Sequence, residues 1–401
     1  MATNLNIAQI HWGFPPIIGG VETHLTILLP EYVKRGHRVG LLTGSVEGEE
    51  DHVSYKGVDV YRTPHLDLNW LARRGLEALE EEITKTYADF FDTVKPDIIH
   101  VHNMHYFSEI HVKILDEIAT RKGVPLILTA HNVWDDILFL KLTREIRWAH
   151  IIAVSHYIKK ELTGVGYDDS KITVIHHGID TDIFRPDVDA TRMLEKFPEL
   201  AGRRIIFHPA RMGMAKGCDV SIKALRLVKE RFPDALLVMA GTKNIIDWEQ
   251  AQQKEIAYFV DLVKTFGLQD HVFINVYSIE EMPELYSLSQ VCIYPSSVPE
   301  PFGLTMLEAL SSERPMIVTN AGGMPEIIMD DVNGYVIKVK DFETLASRID
   351  HLLAEPRVAN RLGYTGRQTV RTHYTKDIMA QCHLDVYESI LTGSRTMSGM
   401  T

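Results

Sequence analysis

Two carboxylates, Glu300 and Glu308, stand eight positions apart in VPEPFGLTMLEAL (298–310), with Pro301 and Gly303 between them. Either both work on a ligand, or Glu300 is a loop residue and Glu308 an ordinary helix cap. Thr305-Met306-Leu307-Glu308 fits the S/T-x-x-E capping box, which accounts for Glu308 by itself. Capping does not explain Glu300, held on its loop by Pro299 and Pro301. The two uses of Glu308 are compatible, because a glutamate in a first turn also reaches a ligand at the helix mouth. Upstream, HPARMGMAKGCD (208–219) carries Arg211 and Lys216 on a glycine-bearing loop just ahead of a helix. A guanidinium, an ammonium and a helix N-terminus together suit a diphosphate; a solvated basic loop is the plainer alternative. The G-x-x-x-x-G-K-[ST] spacing of a P-loop is absent.

Glycines mark two further places. In GFPPIIGGVETH (13–24), Gly19 and Gly20 precede a helix, where backbone approaches a ligand closely and free N–H groups attract anions. The G-x-G-x-x-G dinucleotide fingerprint is missing there. In VTNAGGMPEII (318–328), Gly322-Gly323 follow a strand and Pro325 opens a helix, so their amides either meet a ligand or only make a tight turn. Histidines cluster in HVHNMHYF as His100, His102 and His105, the first two on one strand face, but no carboxylate or thiol accompanies them at ligand spacing. His131, just past a strand end in TAHNVWDD, is the better site candidate. Asp180-x-Asp182 lies in a linker and reads as structural. Three distant cysteines, Cys218, Cys292 and Cys382, form no C-x-x-C and suggest neither zinc nor disulfides.

These motifs need elements to hold them. Eleven short apolar runs alternate with amphipathic stretches, six before residue 180 and five after 203. Continuous apolar strands read as buried and parallel, and strand–helix alternation in both halves predicts two doubly wound α/β domains. In such sheets ligands bind beyond the carboxyl ends of the strands, where the motifs fall. The 401 residues are too many for one ordinary core, and 180–204, with two prolines and no clear strand, is the expected boundary. HLDLNWLARRGLEALEEE (65–82) reads as an amphipathic surface helix, with a lid-like helix as the alternative. The last helical stretch is 379–391, with a flexible tail after it. Net charge is −12, with no basic patch for nucleic acid, and membrane contact is expected to be peripheral at most. The start has no signal-peptide pattern and no run approaches the roughly 20 apolar residues of a membrane span, which points to the cytoplasm.

Taken together, GGVETH, AVSHYIKKEL, VIHHGIDTDIFRP, ARMGMAKG and PSSVPEPFGLTMLEALSSERPMIVTNAGGMPEII resemble the family 4 retaining glycosyltransferases of the two-Rossmann (GT-B) fold. The E-x7-E spacing followed by the Gly-Gly turn is the specific part, and the resemblance covers nearly the whole chain. It implies two Rossmann-like domains facing across a cleft: residues 1–185 for the acceptor and 186–375 for the nucleotide sugar. A C-terminal helix and tail (376–401) would follow, the helix free to pack back on the first domain. It implies that Glu300 holds donor-sugar hydroxyls and Glu308 accepts from the ribose. Arg211 and Lys216 would bind the diphosphate and stabilise leaving-group charge. Gly20 would lie against phosphate or sugar, and Phe302, Gly303 and Leu304 would pack both against the helix start. His131 matches the family's active-site histidine near the sugar's 6-position. No metal or other cofactor is implied, and configuration is retained by front-face attack.

Three departures stand out: no acidic residue just before Lys216, SSERP in place of an Ala/Gly-rich turn, and no glycine in FINVYS. The expected reaction is hexosyl transfer from a nucleoside-diphosphate sugar to an acceptor hydroxyl. By family frequency the donor is UDP-linked, with glucose or N-acetylglucosamine ahead of mannose. Alternatives are a GDP-mannose-dependent mannosyltransferase, a nucleotide-sugar epimerase, or a non-catalytic nucleotide-sugar-binding subunit. The acceptor, a small molecule or a lipid-linked sugar, has no code in loops 44–75 and 103–112.

Overall fold

The computed structural model describes residues 4–133, 141–142, 145–241 and 249–398, the side chains of 249–253 and 394–398 excepted. The chain divides into two compact units, Met1–Gly178 with Lys376–Thr401, and Ile179–Thr375.

In the first unit, β1 (Asn6–Ile10), β2 (Arg38–Gly44), β3 (His52–Tyr55), β4 (Val58–Thr63), β5 (Ile98–His102), β6 (Leu126–Ala130), β7 (His150–Ala153) and β8 (Ile172–Val174) share a sheet. Its order is β3-β4-β2-β1-β5-β6-β7-β8. All pairings are parallel except β3 with β4. In the second unit, β9 (Arg204–His208), β10 (Ala235–Gly241), β11 (Val272–Val276), β12 (Ser289–Tyr294), β13 (Met316–Thr319) and β14 (Gly334–Ile337) form an all-parallel sheet ordered β11-β10-β9-β12-β13-β14. Each unit's first strand lies mid-sheet, and strand order reverses beside it, at β1/β5 and at β9/β12. Loops leaving the carboxyl ends there run to opposite faces and open a crevice.

The eleven apolar runs all appear as strands; most are buried on both faces and have no polar side to show, while β11, at the sheet edge, is only half-buried. Of the three strands outside those runs, β3 and β4 carry exposed positions, while β14 is mostly buried but short. β3 alternates exposed and half-buried residues, and its hairpin to β4 turns through Lys56 and Gly57 at φ 50° and 86°, the left-handed pair of a tight hairpin. β14 is only four residues long and opens on a glycine. The surface helix read over 65–82 does not form as one piece. It breaks into a 3-10 turn (Pro64–Leu66), a short helix (Leu68–Ala72), another turn (Leu76–Leu79) and the start of the Glu80–Val94 helix. Asp67 caps Asn69 and Trp70, which restarts the chain inside the segment.

The first crossover helix, Gly20–Lys34, ends in a Schellman motif: Gly36 at φ 89° donates to the Val33 carbonyl and His37 to that of Tyr32. The last helix, Lys376–Ser398, buries Met379, Ala380, Leu384 and Tyr387 in the first unit's core beside Leu25, Leu28 and Tyr32. Among the described residues no helix is long and apolar enough to cross a membrane.

Candidate active site

In the second unit the loops after β9, β12 and β13 meet at the switch point. Gly217, at φ 76°, lets the first press on the second, since a Cβ there would run into the Pro295 carbonyl. Two bonds to the Ala215 carbonyl hold the contact, from Ser297 N–H at 2.8 Å and Ser296 Oγ at 3.0 Å. This seats Lys216 Nζ 2.7 Å from Glu300 Oε1, which lies 3.1 Å from Ser296 Oγ. Glu300 is buried and Lys216 partly so, and the ammonium lies 5.7 Å from the Tyr294 ring centre. The third loop grips Glu300 from behind. Gly323 N–H donates to the Glu300 carbonyl at 2.7 Å, and a Cβ on Gly322, at φ 64°, would strike the Glu300 backbone. The Gly-Gly turn therefore serves close packing, and the Gly323 amide is already used.

The capping box also gives way. The Leu304–Ser311 helix is capped by Gly303 at φ 100°, and Thr305 lies one residue inside it with no cap bond. Glu308 instead accepts the Tyr286 hydroxyl at 2.7 Å. Burial pushes its carboxyl up to about 7, against the lowering effect of that bond. Phe302 is buried, its ring 6.2 Å from Tyr374, while Gly303 and Leu304 stay half-exposed. Arg211 is exposed on the β9 loop. His208, which ends β9, was not singled out from sequence. It is wholly buried against Ser221 Oγ at 2.9 Å, and burial and then the nearby Lys216 charge lower it to about 3. Asp180-x-Asp182 folds on itself, Asp182 N–H donating to Asp180 Oδ1 at 3.0 Å.

In the first unit Gly20 opens its helix, exposed, and a Cβ there would meet open space. Gly13 and Gly19 differ: both leave room for the Glu22 carboxylate, which lies 3.3 Å from His11 Nε2. An anion of the chain's own thus already sits at this helix mouth. His131 follows β6, its N–H held by Asn103 Oδ1 at 2.7 Å. It belongs to a buried group with His24, His100, His102, His177 and His383. Ring centres of His24 and His131 are 4.9 Å apart, and those of His131 and His177 5.2 Å. Burial first, then repulsion among neighbours, holds His24, His100, His102 and His131 well below the usual imidazole value, so these rings are neutral. Sequence reading missed His24, His177 and His383. One signal was available: Gln9 and His11 are polar residues inside an otherwise apolar strand run, and both are fully buried.

His24, His102 and His131 place ring nitrogens within 4.8 Å of one another, the donor type zinc takes. Two of those nitrogens, His102 Nδ1 and His131 Nε2, already share a hydrogen bond of 2.9 Å. The trio is not the one weighed from spacing, because His105 turns away to the Asn132 carbonyl at 3.0 Å. Lys216 and Glu300 are thus brought into contact, with Arg211 and Glu308 on the flanking elements; Gly20 and His131 lie in the other unit.

Comparison with known proteins follows this division. Residues 18–183 match the model for "Glycosyltransferase Family 4", and residues 189–369 the model for "Glycosyl transferases group 1". An uncharacterized glycosyltransferase of Methanocaldococcus jannaschii is 26% identical, over 96% of this chain and 98% of that one. The GDP-mannose-dependent alpha-(1-6)-phosphatidylinositol monomannoside mannosyltransferase of Mycolicibacterium smegmatis is 25% identical, over 88% of this chain and 91% of its own. The Anabaena HepE structure with UDP and glucose superposes with a TM-score of 0.77 at 17% identity, covering 96% of this chain and all of that one (100%). The fold is GT-B.

Proposed function

Because this chain belongs to the family 4, group 1 glycosyltransferases, we propose that it moves a hexosyl group, with retention, from a UDP-linked sugar to an acceptor hydroxyl. The observation that carries this is the Lys216–Glu300 pair at 2.7 Å on the switch-point loops of β9 and β12. The ammonium neutralises the buried carboxylate. A donor diphosphate takes over Lys216, joined by Arg211, and frees Glu300 to accept sugar hydroxyls. As the glycosidic bond breaks, both cations meet the charge gathering on the leaving diphosphate. Glu308 accepts the ribose hydroxyls. Gly303 and Leu304 bring the helix start to the ligand, with Phe302 fixing their backbone from the core, and Gly20 is assigned to phosphate or sugar by the family resemblance. His131 is assigned, by the same resemblance, to the sugar near its 6-position. The reaction needs no metal in this reading, and the first unit takes the acceptor. UDP-glucose or UDP-N-acetylglucosamine is the preferred donor. The mannosyltransferase relative favours a second reading, GDP-mannose as donor.

Thermal melting with UDP, GDP, ADP and TDP, followed by product analysis with the matching sugar nucleotides, tests this. A nucleotide at a hundred times its Kd stabilises by about 2.7 kcal/mol. UDP is expected to stabilise the wild type and to lose most of that effect in Lys216→Ala, with a product of unchanged anomeric configuration and a rate indifferent to EDTA. Stabilisation by GDP alone selects the second reading. If none of the four stabilises, or Lys216→Ala transfers sugar at the wild-type rate, the proposal fails.

A further inference from the structure

A chain of buried hydrogen bonds runs from the last helix to His131. The Tyr32 and Tyr387 hydroxyls are 3.2 Å apart, and Tyr387 Oη lies 2.5 Å from His100 Nδ1. The Gln9 amide nitrogen faces Tyr387 Oη at 3.3 Å and His100 Nδ1 at 3.5 Å, so Gln9 Oε1 faces His102 Nε2 at 2.7 Å. His102 Nδ1 then meets His131 Nε2 at 2.9 Å. A neutral imidazole has one N–H and one lone pair, so each link fixes the next. An oxygen of Gln9 can only accept, hence His102 carries its proton on Nε2. Its bare Nδ1 accepts from His131 Nε2–H. His131 Nδ1 is then a lone pair, buried and without a hydrogen-bond partner among the described residues. At the other end Tyr387 donates to His100 Nδ1, and His100 Nε2–H to Thr129 Oγ1 at 2.7 Å. Turning the Gln9 amide over reverses every proton in the middle of the chain.

We infer that Gln9, His102 and Tyr387 are positioning residues that hold His131 as its Nε2–H tautomer, leaving Nδ1 to accept a hydroxyl of the bound substrate. The inference rests on the role proposed for His131. The C-terminal helix, remote in sequence, thereby sets the polarity of a site side chain: Tyr387 anchors the amide that orients the two rings.

Long-range proton–nitrogen correlation on the full chain with nitrogen-15 histidine reads the tautomer directly, His131 being assigned by its loss in His131→Ala. The wild type is expected to show His131 protonated on Nε2. Gln9→Met and Tyr387→Phe are expected to mix or reverse that tautomer and to lower kcat about 10- to 100-fold, with nucleotide stabilisation unchanged. Tyr387→Phe removes one hydroxyl and carries the test where Gln9→Met does not fold, as judged by melting. A wild-type His131 protonated on Nδ1, or both variants keeping the wild-type tautomer, overturns the inference. A shifted tautomer with kcat unchanged in these variants and in His131→Ala upholds the relay and removes His131 from the reaction instead.

Discussion

Glu308 shows most sharply how burial acts on one residue. Its carboxyl is pushed up to about 7 by loss of water, from about 4.5 in an unfolded chain. An acid raised on folding opposes the fold once it must ionise: stability falls as pH rises from about 4.5 through about 7, and the full penalty stands above that. Glu308→Gln removes the charge and keeps an acceptor for Tyr286. It should therefore melt higher than the wild type at pH 8, by an amount that vanishes toward pH 4. The same variant should bind nucleotide more weakly, because an amide oxygen is a poorer acceptor than a carboxylate for ribose hydroxyls. In the wild type near pH 7, nucleotide binding should release a fraction of a proton, since hydroxyl donors favour the ionised form. Calorimetry in buffers of different ionisation heat reads this; proton uptake would exclude Glu308 from the nucleotide site. Melting that falls at both pH values would mean that the side chain only packs.

At the scale of elements, the site is made by loops pressed together, and glycine permits the pressing. Gly217 combines φ 76° with a carbonyl where a Cβ would go. Gly217→Ala should cost at least about 1–3 kcal/mol in backbone strain, which for a domain of this size lowers Tm by about 2–4 °C per kcal/mol. It should also part Ala215 from Ser296 and Ser297 and so separate Lys216 from Glu300, weakening nucleotide binding well beyond the loss of stability. Melting and nucleotide titration of the one variant check both. Unchanged affinity at lowered Tm would show that the loop contact does not place Lys216.

Over the whole molecule the chain returns on itself: residues after Lys376 complete a core begun before Tyr32. Fully burying a large apolar side chain contributes about 1.5–3 kcal/mol. The last helix buries Met379, Leu384 and Tyr387 at least, as much as the whole net stability of many domains. A chain ending at Thr375 should therefore lose the first unit's cooperative melting while the second unit still melts. Calorimetry decides this, and an unchanged first transition would make the helix an accessory.

Much of this was legible in order along the chain. Alternation of apolar runs with helical spacing dictates parallel α/β sheets, because a strand covered on both faces must be apolar throughout. Glycine pairs and charged residues just after those runs mark the strand ends where ligands go, and Lys216 and Glu300 were found that way. What sequence could not carry is distance across the fold. Gln9, His100, His102, His131 and Tyr387 are scattered from β1 to the last helix, and no spacing rule joins them. The capping pattern at Thr305 was locally sound, yet the helix start fell at Gly303–Leu304 and Tyr286 took Glu308. Local rules fix which element forms. Burial, partner choice and proton position belong to the packed structure, because they depend on neighbours supplied only by the fold.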